Sequence, residues 1–368
     1  MNFFITKKLL YDSLSHFQSV VEKRNTIPIL SNIKIKSKKD EIIITATDLS
    51  IQLSEVIPAN VIKDGEVTIP SQLFFDIVKK IPESKEIEIK ESSESGKVFI
   101  LFGDSRFSLP YLPTSDFPEI ENENFENEFI LSSSKFKYLI DDCKFSMGLD
   151  ESRQYLNGVY FHCSGEKIIS VATDGHRLSK CQIENDIQIK SFEGIIIPKK
   201  TVNEISKILE EFDSELNICI SKTKIAFTVG KVNLISKLVN ANFPDYESVI
   251  PKSNNLTMTC DAGLFSDTID RVSTISNEKF RTVKLEISND ICVVSSFGEE
   301  KSAGTEQIIV NYKGPKIIIN FNARYILEVL SIFKNEKISI SFAEDTAPTI
   351  LQSNSNGSSL YLIMQMRA

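Results

Sequence analysis

Apolar residues recur at spacings of three and four in six stretches of this chain, separated by short β-branched runs. Leu10, Leu14, Phe17 and Val21 share one helical face, as do Phe74, Ile77, Val78 and Ile81. Further sets are Phe136, Leu139, Ile140 and Cys143, then Val202, Ile205, Leu209 and Phe212. The last two are Phe265, Ile269, Val272 and Ile275, then Ile326, Val329, Leu330 and Phe333. Each set predicts an amphipathic helix with one face in a core. Between them, runs such as Ile42-Ile43-Ile44-Thr45, Val98-Phe99-Ile100-Leu101 and Ile291-Cys292-Val293-Val294 read as strands. Lys39-Asp40, Ser95-Gly96, Ser164-Gly165 and Asn289-Asp290 sit where hairpin turns belong. Strand exceeds helix. The pattern predicts an α+β class, with antiparallel sheets covered on one face by two helices per repeat.

The pattern also repeats at long range. Ala46-Thr47-Asp48 recurs as Ala172-Thr173-Asp174, 126 positions on. Leu30 matches Leu156, and Asp116-Phe117-Pro118 matches Asn242-Phe243-Pro244, both again 126 apart. Such a period far exceeds the roughly 20–50 residues of a solenoid unit, so the unit is a whole domain. The 368 residues leave room for a third copy, and the paired helices extend the repeat into it. Three tandem domains are expected, at 1–125, 126–253 and 254–368. Residues 116–129 carry Asp116, Glu119, Glu121, Glu123, Glu126 and Glu128 with no basic residue, which reads as a solvated acidic linker.

Composition narrows the function. No apolar run approaches the roughly 18 residues of a membrane span, and the start lacks a signal-peptide pattern, so a cytoplasmic protein is expected. Six scattered cysteines and three histidines show no metal-ligand spacing, so neither a metal nor a cofactor is expected. The net charge of −8 taken alone argues against nucleic acid. The predicted outer helix faces nevertheless hold Lys7, Lys8, Lys23, Arg24, Lys79, Lys80, Lys135, Lys137, Lys144, Lys199, Lys200, Lys207, Arg271, Arg324 and Lys334. Those faces are either ordinary mixed surfaces or a weakly basic wall suited to sequence-independent phosphate contact. Phosphate-loop, dinucleotide and nucleophile-elbow motifs are absent. Asp174 and His176 invite a general-base reading, but no nucleophile is evident beside them. A binding loop shaped by Gly175 is the physical alternative.

With these residues in view, the chain resembles the bacterial β sliding clamp family along its whole length. The carriers are Arg24-Asn25-Thr26-Ile27-Pro28, Tyr155-Leu156-Asn157-Gly158, Ala172-Thr173-Asp174-Gly175-His176-Arg177-Leu178 and Asn242-Phe243-Pro244-Asp245-Tyr246. Ser276-Asn277-Glu278-Lys279-Phe280-Arg281, Phe321-Asn322-Ala323-Arg324-Tyr325 and Met364-Gln365-Met366-Arg367 complete the set. The resemblance implies three clamp domains per chain and a non-catalytic head-to-tail homodimer closed into a ring around duplex DNA. The partners it implies are the polymerase catalytic subunit, the clamp loader and other proteins that dock short peptides. Pocket positions implied are Leu156, Thr173, Gly175, His176, Arg177, Leu178, Pro244, Val249, Asn322, Tyr325, Leu362, Ile363, Met364, Met366 and Arg367. DNA-binding positions implied are Arg24, Asp150, Arg153, Gln154 and Tyr155; ring-interface positions are Phe107, Leu109, Thr274 and Ile275. Ser248 stands where the family often has Arg, and Gln365 where it often has Pro. Besides the clamp, the residues leave open a peptide-binding scaffold without DNA and a hydrolase using Asp174 and His176.

Overall fold

The computed structural model describes residues 1–22, 26–92, 95–121, 123–276, 281–299, 302–333, 336–343, 347–353 and 357–366. All six predicted helices form: α1 (Lys7–Phe17), α2 (Ser71–Lys80), α3 (Ser133–Lys144), α4 (Lys199–Glu211), α5 (Ala262–Ser273) and α6 (Ala323–Leu330). Most of the apolar positions that predicted them are buried, among them Leu10, Phe74, Phe136, Val202, Phe265 and Ile326, while Ile77, Phe212 and Ile275 are partly buried. Val21, Ile81, Phe212, Ile275 and Phe333 lie past the helix ends. They continue the apolar stripe after the backbone has left the helix, as Ile81 does with extended backbone and a buried side chain. Three starts are capped by side chains: Ser132 accepts from the Lys135 N–H at 3.3 Å, Asp261 from the Leu264 N–H at 2.8 Å, and Asn322 from the Arg324 N–H at 3.0 Å.

The chain divides into two compact units. The first comprises Met1–Phe136 and Lys200–Leu238. It holds a five-stranded antiparallel sheet in the order Asn60–Lys63, Asn2–Thr6, Glu86–Ser92, Lys97–Phe102, Ser105–Pro110. Its eight-stranded sheet runs Asn127–Ser132, Glu215–Ile220, Lys224–Val229, Val232–Lys237, Ile51–Pro58, Glu41–Thr47, Asn32–Lys38, Gly65–Pro70. The strand Val232–Lys237 of the second repeat pairs there with Ile51–Pro58 of the first, Ser236 opposite Ile51.

The second unit comprises Lys137–Lys199 and Val239–Ala368. Its nine-stranded sheet runs Phe192–Pro198, Gly158–Ser164, Lys167–Thr173, Arg177–Glu184, Ser359–Ile363, Thr349–Ser353, Lys337–Phe342, Leu256–Asp261, Asn311–Tyr312. The repeat boundary is again crossed by strand pairing, with Ile363 opposite Arg177. A four-stranded sheet follows the order Ala303–Ile309, Ile291–Phe297, Thr282–Ser288, Ile317–Asn322. The predicted turn at Asn289-Asp290 has both residues at positive φ, 51° and 61°, as a tight two-residue hairpin requires.

The acidic linker is solvated as its composition predicts, with Asp116, Glu119, Glu121, Glu126 and Glu128 exposed, but it is also tied to the neighbouring sheet. Glu119 pairs with Lys34 at 2.8 Å, and Glu123 lies 3.5 Å from Lys224 and accepts from the Thr223 hydroxyl at 2.9 Å. The Ile120 N–H donates to the Gln52 side chain at 2.7 Å. Hydroxyl and lysine donors on the neighbouring sheet absorb the linker's charge. The Ser221 and Thr223 hydroxyls, with Lys224, hold Glu123 below the usual carboxylate range.

Candidate functional site

The loop between Lys167–Thr173 and Arg177–Glu184 is built by its own side chains. The Thr173 hydroxyl donates to the Arg177 carbonyl at 2.6 Å and accepts from the Gly175 N–H at 3.1 Å. Asp174 accepts from the N–H groups of His176 at 2.8 Å and Arg177 at 3.1 Å. Gly175 sits at φ 90°, where a side chain would be strained. Next to this loop lies a cavity of about 350 Å³. Nine residues named by resemblance line it: Leu156, Thr173, Gly175, Arg177, Leu178, Pro244, Val249, Leu362 and Met364. Leu178 stands opposite Leu362 across the paired strands, so the floor is a two-leucine step in the sheet. Beneath it Ile169, Val171, Leu178, Tyr246, Ile350 and Leu362 form a small apolar core of their own. Val249 is half exposed at 50% and Met364 at 42%, so apolar surface is left open to a ligand.

Other positions named by resemblance do not line the cavity. Ile363 is fully buried in the main core of the unit, because its strand alternates and only Leu362 and Met364 face the other way. Asn322 uses its side-chain oxygen as the cap of α6. Tyr325 lies under the Arg177 guanidinium, 4.5 Å from ring centre to cation. His176 is exposed, and its carbonyl accepts the Met364 N–H at 2.9 Å. Met366 bridges to Asn320 instead, its N–H donating to the Asn320 carbonyl at 2.8 Å. Arg367 lies outside the described residues.

Arg177 lines the cavity without offering it a free fork. Its Nε donates to Asp174 at 3.0 Å, and its two terminal nitrogens donate to Glu328 and to the Phe145 carbonyl. The guanidinium therefore fixes the wall, and Asp174 is committed to Arg177 and the turn. Arg153 and Tyr155, assigned to DNA by resemblance, line the cavity, as do Asp245, Tyr246 and Pro348. Tyr246 belongs to the quoted Asn-Phe-Pro-Asp-Tyr run and was legible as a neighbour of Pro244. Pro348 had no sequence signal, since only strand pairing brings its segment here.

Among the DNA candidates, Arg24 lies outside the described residues. Asp150 accepts from the Ser152 hydroxyl and N–H and from Arg153, which hold its carboxyl below the usual range. Gln154 is exposed. The helix cations are largely matched by acids. Lys7 is buried at 6% and pairs with Glu83, so it is no part of an outer face. Lys137 and Lys144 share Asp141, Lys200 meets Asp48 at 2.5 Å, and Lys207 meets Glu204 at 3.2 Å. Arg271 meets Glu306 at 2.6 Å and Arg324 meets Glu328 at 3.0 Å. Lys8, Lys79 and Lys80 are exposed; Lys23 and Lys334 lie outside the described residues. Of the interface candidates, Phe107 is 42% exposed on the edge strand Ser105–Pro110, whereas Leu109 is buried at 4%. Thr274 is exposed, and Ile275 packs where Gly298 and Gly304 leave no room for a side chain.

Three repeats with shared sheets and one cavity beside a repeat boundary define a clamp-type protein. Family models for the N-terminal, central and C-terminal domains of the DNA polymerase III beta subunit match residues 1–121, 130–245 and 247–367. The chain is 34% identical to the beta sliding clamp of Caulobacter vibrioides over 371 residues, covering all of both chains. It is 32% identical to that of Escherichia coli over 368 residues, again covering all of both. Among solved structures, a DnaN sliding clamp from Bartonella birtlesii bound to griselimycin superposes with a TM-score of 0.95 at 36% identity over both whole chains. A Caulobacter crescentus beta sliding clamp gives 0.97 at 34% identity, covering 100% of this chain and 99% of that one. The chain belongs to the beta sliding clamp family, the non-catalytic processivity subunits of DNA polymerase III.

Proposed function

We propose that two copies of this chain close head to tail around duplex DNA and tether polymerase, clamp loader and other partners through the cavity beside Leu178. One observation carries the ring: the strand pairing between repeats is unfinished. Ile51, Arg177 and Ala303 begin equivalent strands, 126 positions apart. The first two are paired by the last strand of the following repeat, at Ser236 and Ile363. The strand beginning at Ala303 is the edge of its sheet, and Ser105–Pro110, the last strand of the first repeat, is the edge of another. A second copy supplies what each lacks. Such a heterologous contact closes into a ring when the rotation allows. Repeating the register sets Leu109 opposite Ala303 of the partner subunit, and Arg106 opposite Glu306 of the partner subunit. The burial of Leu109 then matters less than its backbone, and Phe107 is the apolar contact.

The matched helix cations support topological rather than adhesive holding of DNA. Few unpaired cations mean few released counterions and weak direct affinity. The test compares retention on nicked circular DNA and on the same DNA linearised. Retention on the circle and loss on linearisation is the expected result. Equal retention on both at moderate salt overturns the reading. Sedimentation that shows only monomer at micromolar concentration overturns the ring.

A further inference from the structure

One wall of the cavity is made by Pro244, Asp245, Tyr246 and Val249, a segment with no regular secondary structure beyond a single short turn. Something must fix a segment of this kind if it is to present a defined surface. Tyr246 is the pivot, at 7% exposure, with its ring in the small core and its hydroxyl turned to His162. The His162 Nε2 lies 3.1 Å from that hydroxyl, while Glu247 is further away at 3.4 Å. Burial raises the Tyr246 hydroxyl above its ordinary range, with Glu247 adding to the effect, so the phenol keeps its proton. Burial lowers His162, with Lys180 adding to it against Glu247, so the imidazole is neutral, and its Nε2 shares a hydrogen bond with the Tyr246 hydroxyl.

The ring of His162 is itself held. It sits 5.0 Å from the Tyr160 ring, which stacks on Phe243 at 4.7 Å and 6°. Tyr160 lies so close to Gly194 that a side chain there would fall within 2.0 Å of its ring. A chain of contacts thus runs from Gly194 through Tyr160 and His162 to the cavity wall, all within one unit.

We propose that His162 is a positioning residue for the cavity: through the Tyr246 hydroxyl it fixes the wall formed by residues 244–249. The proposal rests on the reading of the cavity as a ligand site. His162 touches no ligand; it sets the surface a ligand meets, and removing it raises the entropy that binding must remove.

The test is calorimetric titration of the full-length protein with griselimycin, the ligand in the Bartonella birtlesii structure. His162→Leu removes the hydrogen-bond partner, and binding weakens about tenfold, equivalent to ~1.4 kcal/mol. His162→Gln, whose side-chain oxygen accepts in place of Nε2, returns affinity to within about threefold of wild type. Tyr246→Phe weakens binding like His162→Leu, and the double variant is no weaker than either, because one hydrogen bond is removed twice. Thermal unfolding of each free variant confirms that it is folded at the titration temperature. Binding of His162→Leu within about twofold of wild type overturns the proposal, as does full additivity with Tyr246→Phe. Failure of Gln to restore binding also overturns it. If wild type itself does not bind, the reading of the cavity fails and the positioning role falls with it.

Discussion

The two Ala-Thr-Asp loops share one set of hydrogen bonds and have different surroundings. In the first, the Thr47 hydroxyl donates to the Ile51 carbonyl at 2.8 Å and accepts from the Leu49 N–H at 3.0 Å. Asp48 accepts from the N–H groups of Ser50 and Ile51, both at 2.8 Å. Each contact has its counterpart 126 positions later at Thr173 and Asp174. Both loops put the residue after Asp at positive φ, Leu49 at 76° and Gly175 at 90°. The differences lie just downstream. Gln52 occupies the place of Leu178 and captures the linker backbone at Ile120. Leu178 makes no such hydrogen bond; it packs in the small core with Tyr246, the counterpart of Ile120, and a cavity lies beside it. A turn retained by its hydrogen bonds is therefore architecture, and one side chain beyond it decides between a sealed joint and an open site.

Exchanging the residues that differ breaks the comparison most sharply. On the proposed reading of the cavity as a ligand site, Leu178→Gln places an amide on its floor, and affinity for griselimycin falls by about tenfold to a hundredfold, the cost of a poorly satisfied polar group. Unchanged affinity by calorimetry removes Leu178 from the site. Carrying the equivalence to the third copy predicts the Arg106 to Glu306 register. Arg106→Glu shifts the dimer toward monomer, with dissociation strengthened by about tenfold or more, and Glu306→Arg in the same chain restores it in part. Sedimentation that finds the single variant fully dimeric at low micromolar concentration refutes that register.

Gln52→Leu, the reverse exchange, loses the hydrogen bond to Ile120 and costs about 1 kcal/mol of stability. Amide exchange is the sensitive readout, with faster exchange expected at Ile120. Leu49→Gly relieves the positive φ against the greater freedom of glycine in the unfolded chain, for a net gain of at most about 0.5 kcal/mol. A loss of stability there means that Leu49, 38% exposed, packs more usefully than its backbone suggests.

The first unit also carries a titratable tie. His16 bridges Glu55 at 3.0 Å and Glu211 at 3.1 Å. Burial alone lowers its pKa, but Glu55 and then Glu211 more than offset this and raise it from 6.5 to about 9. A raised folded pKa stabilises fully below the unfolded value and loses that contribution as pH climbs through the folded one. The thermal midpoint of wild type is thus expected to fall between pH 6.5 and about 9 by more than that of His16→Gln. Parallel curves for the two proteins remove the tie.

Periodicity made the helices legible, because burial of one face is a local property of spacing. What the sequence could not show was the identity of partners across elements. The resemblance implies Arg177 as a pocket position, but not that Asp174, Glu328 and the Phe145 carbonyl take its nitrogens. Ile363 was placed in the pocket with Leu362, though strand alternation sends adjacent residues to opposite faces. Asp141 and Glu204 stand on the same helices as the lysines they meet, so those pairs are legible in the sequence, whereas Asp48 and Glu306 come from other elements.

Those matched charges bear on motion. A cation bound to a neighbouring carboxylate has little to gain by moving from water to phosphate, and little to lose by leaving again. Along a helix such as α3, where Asp141 holds both Lys137 and Lys144, the landscape met by a passing polyanion is shallow. Shallow wells favour diffusion over dwelling, so in the proposed ring such pairs would act as a lubricant built from the protein's own side chains.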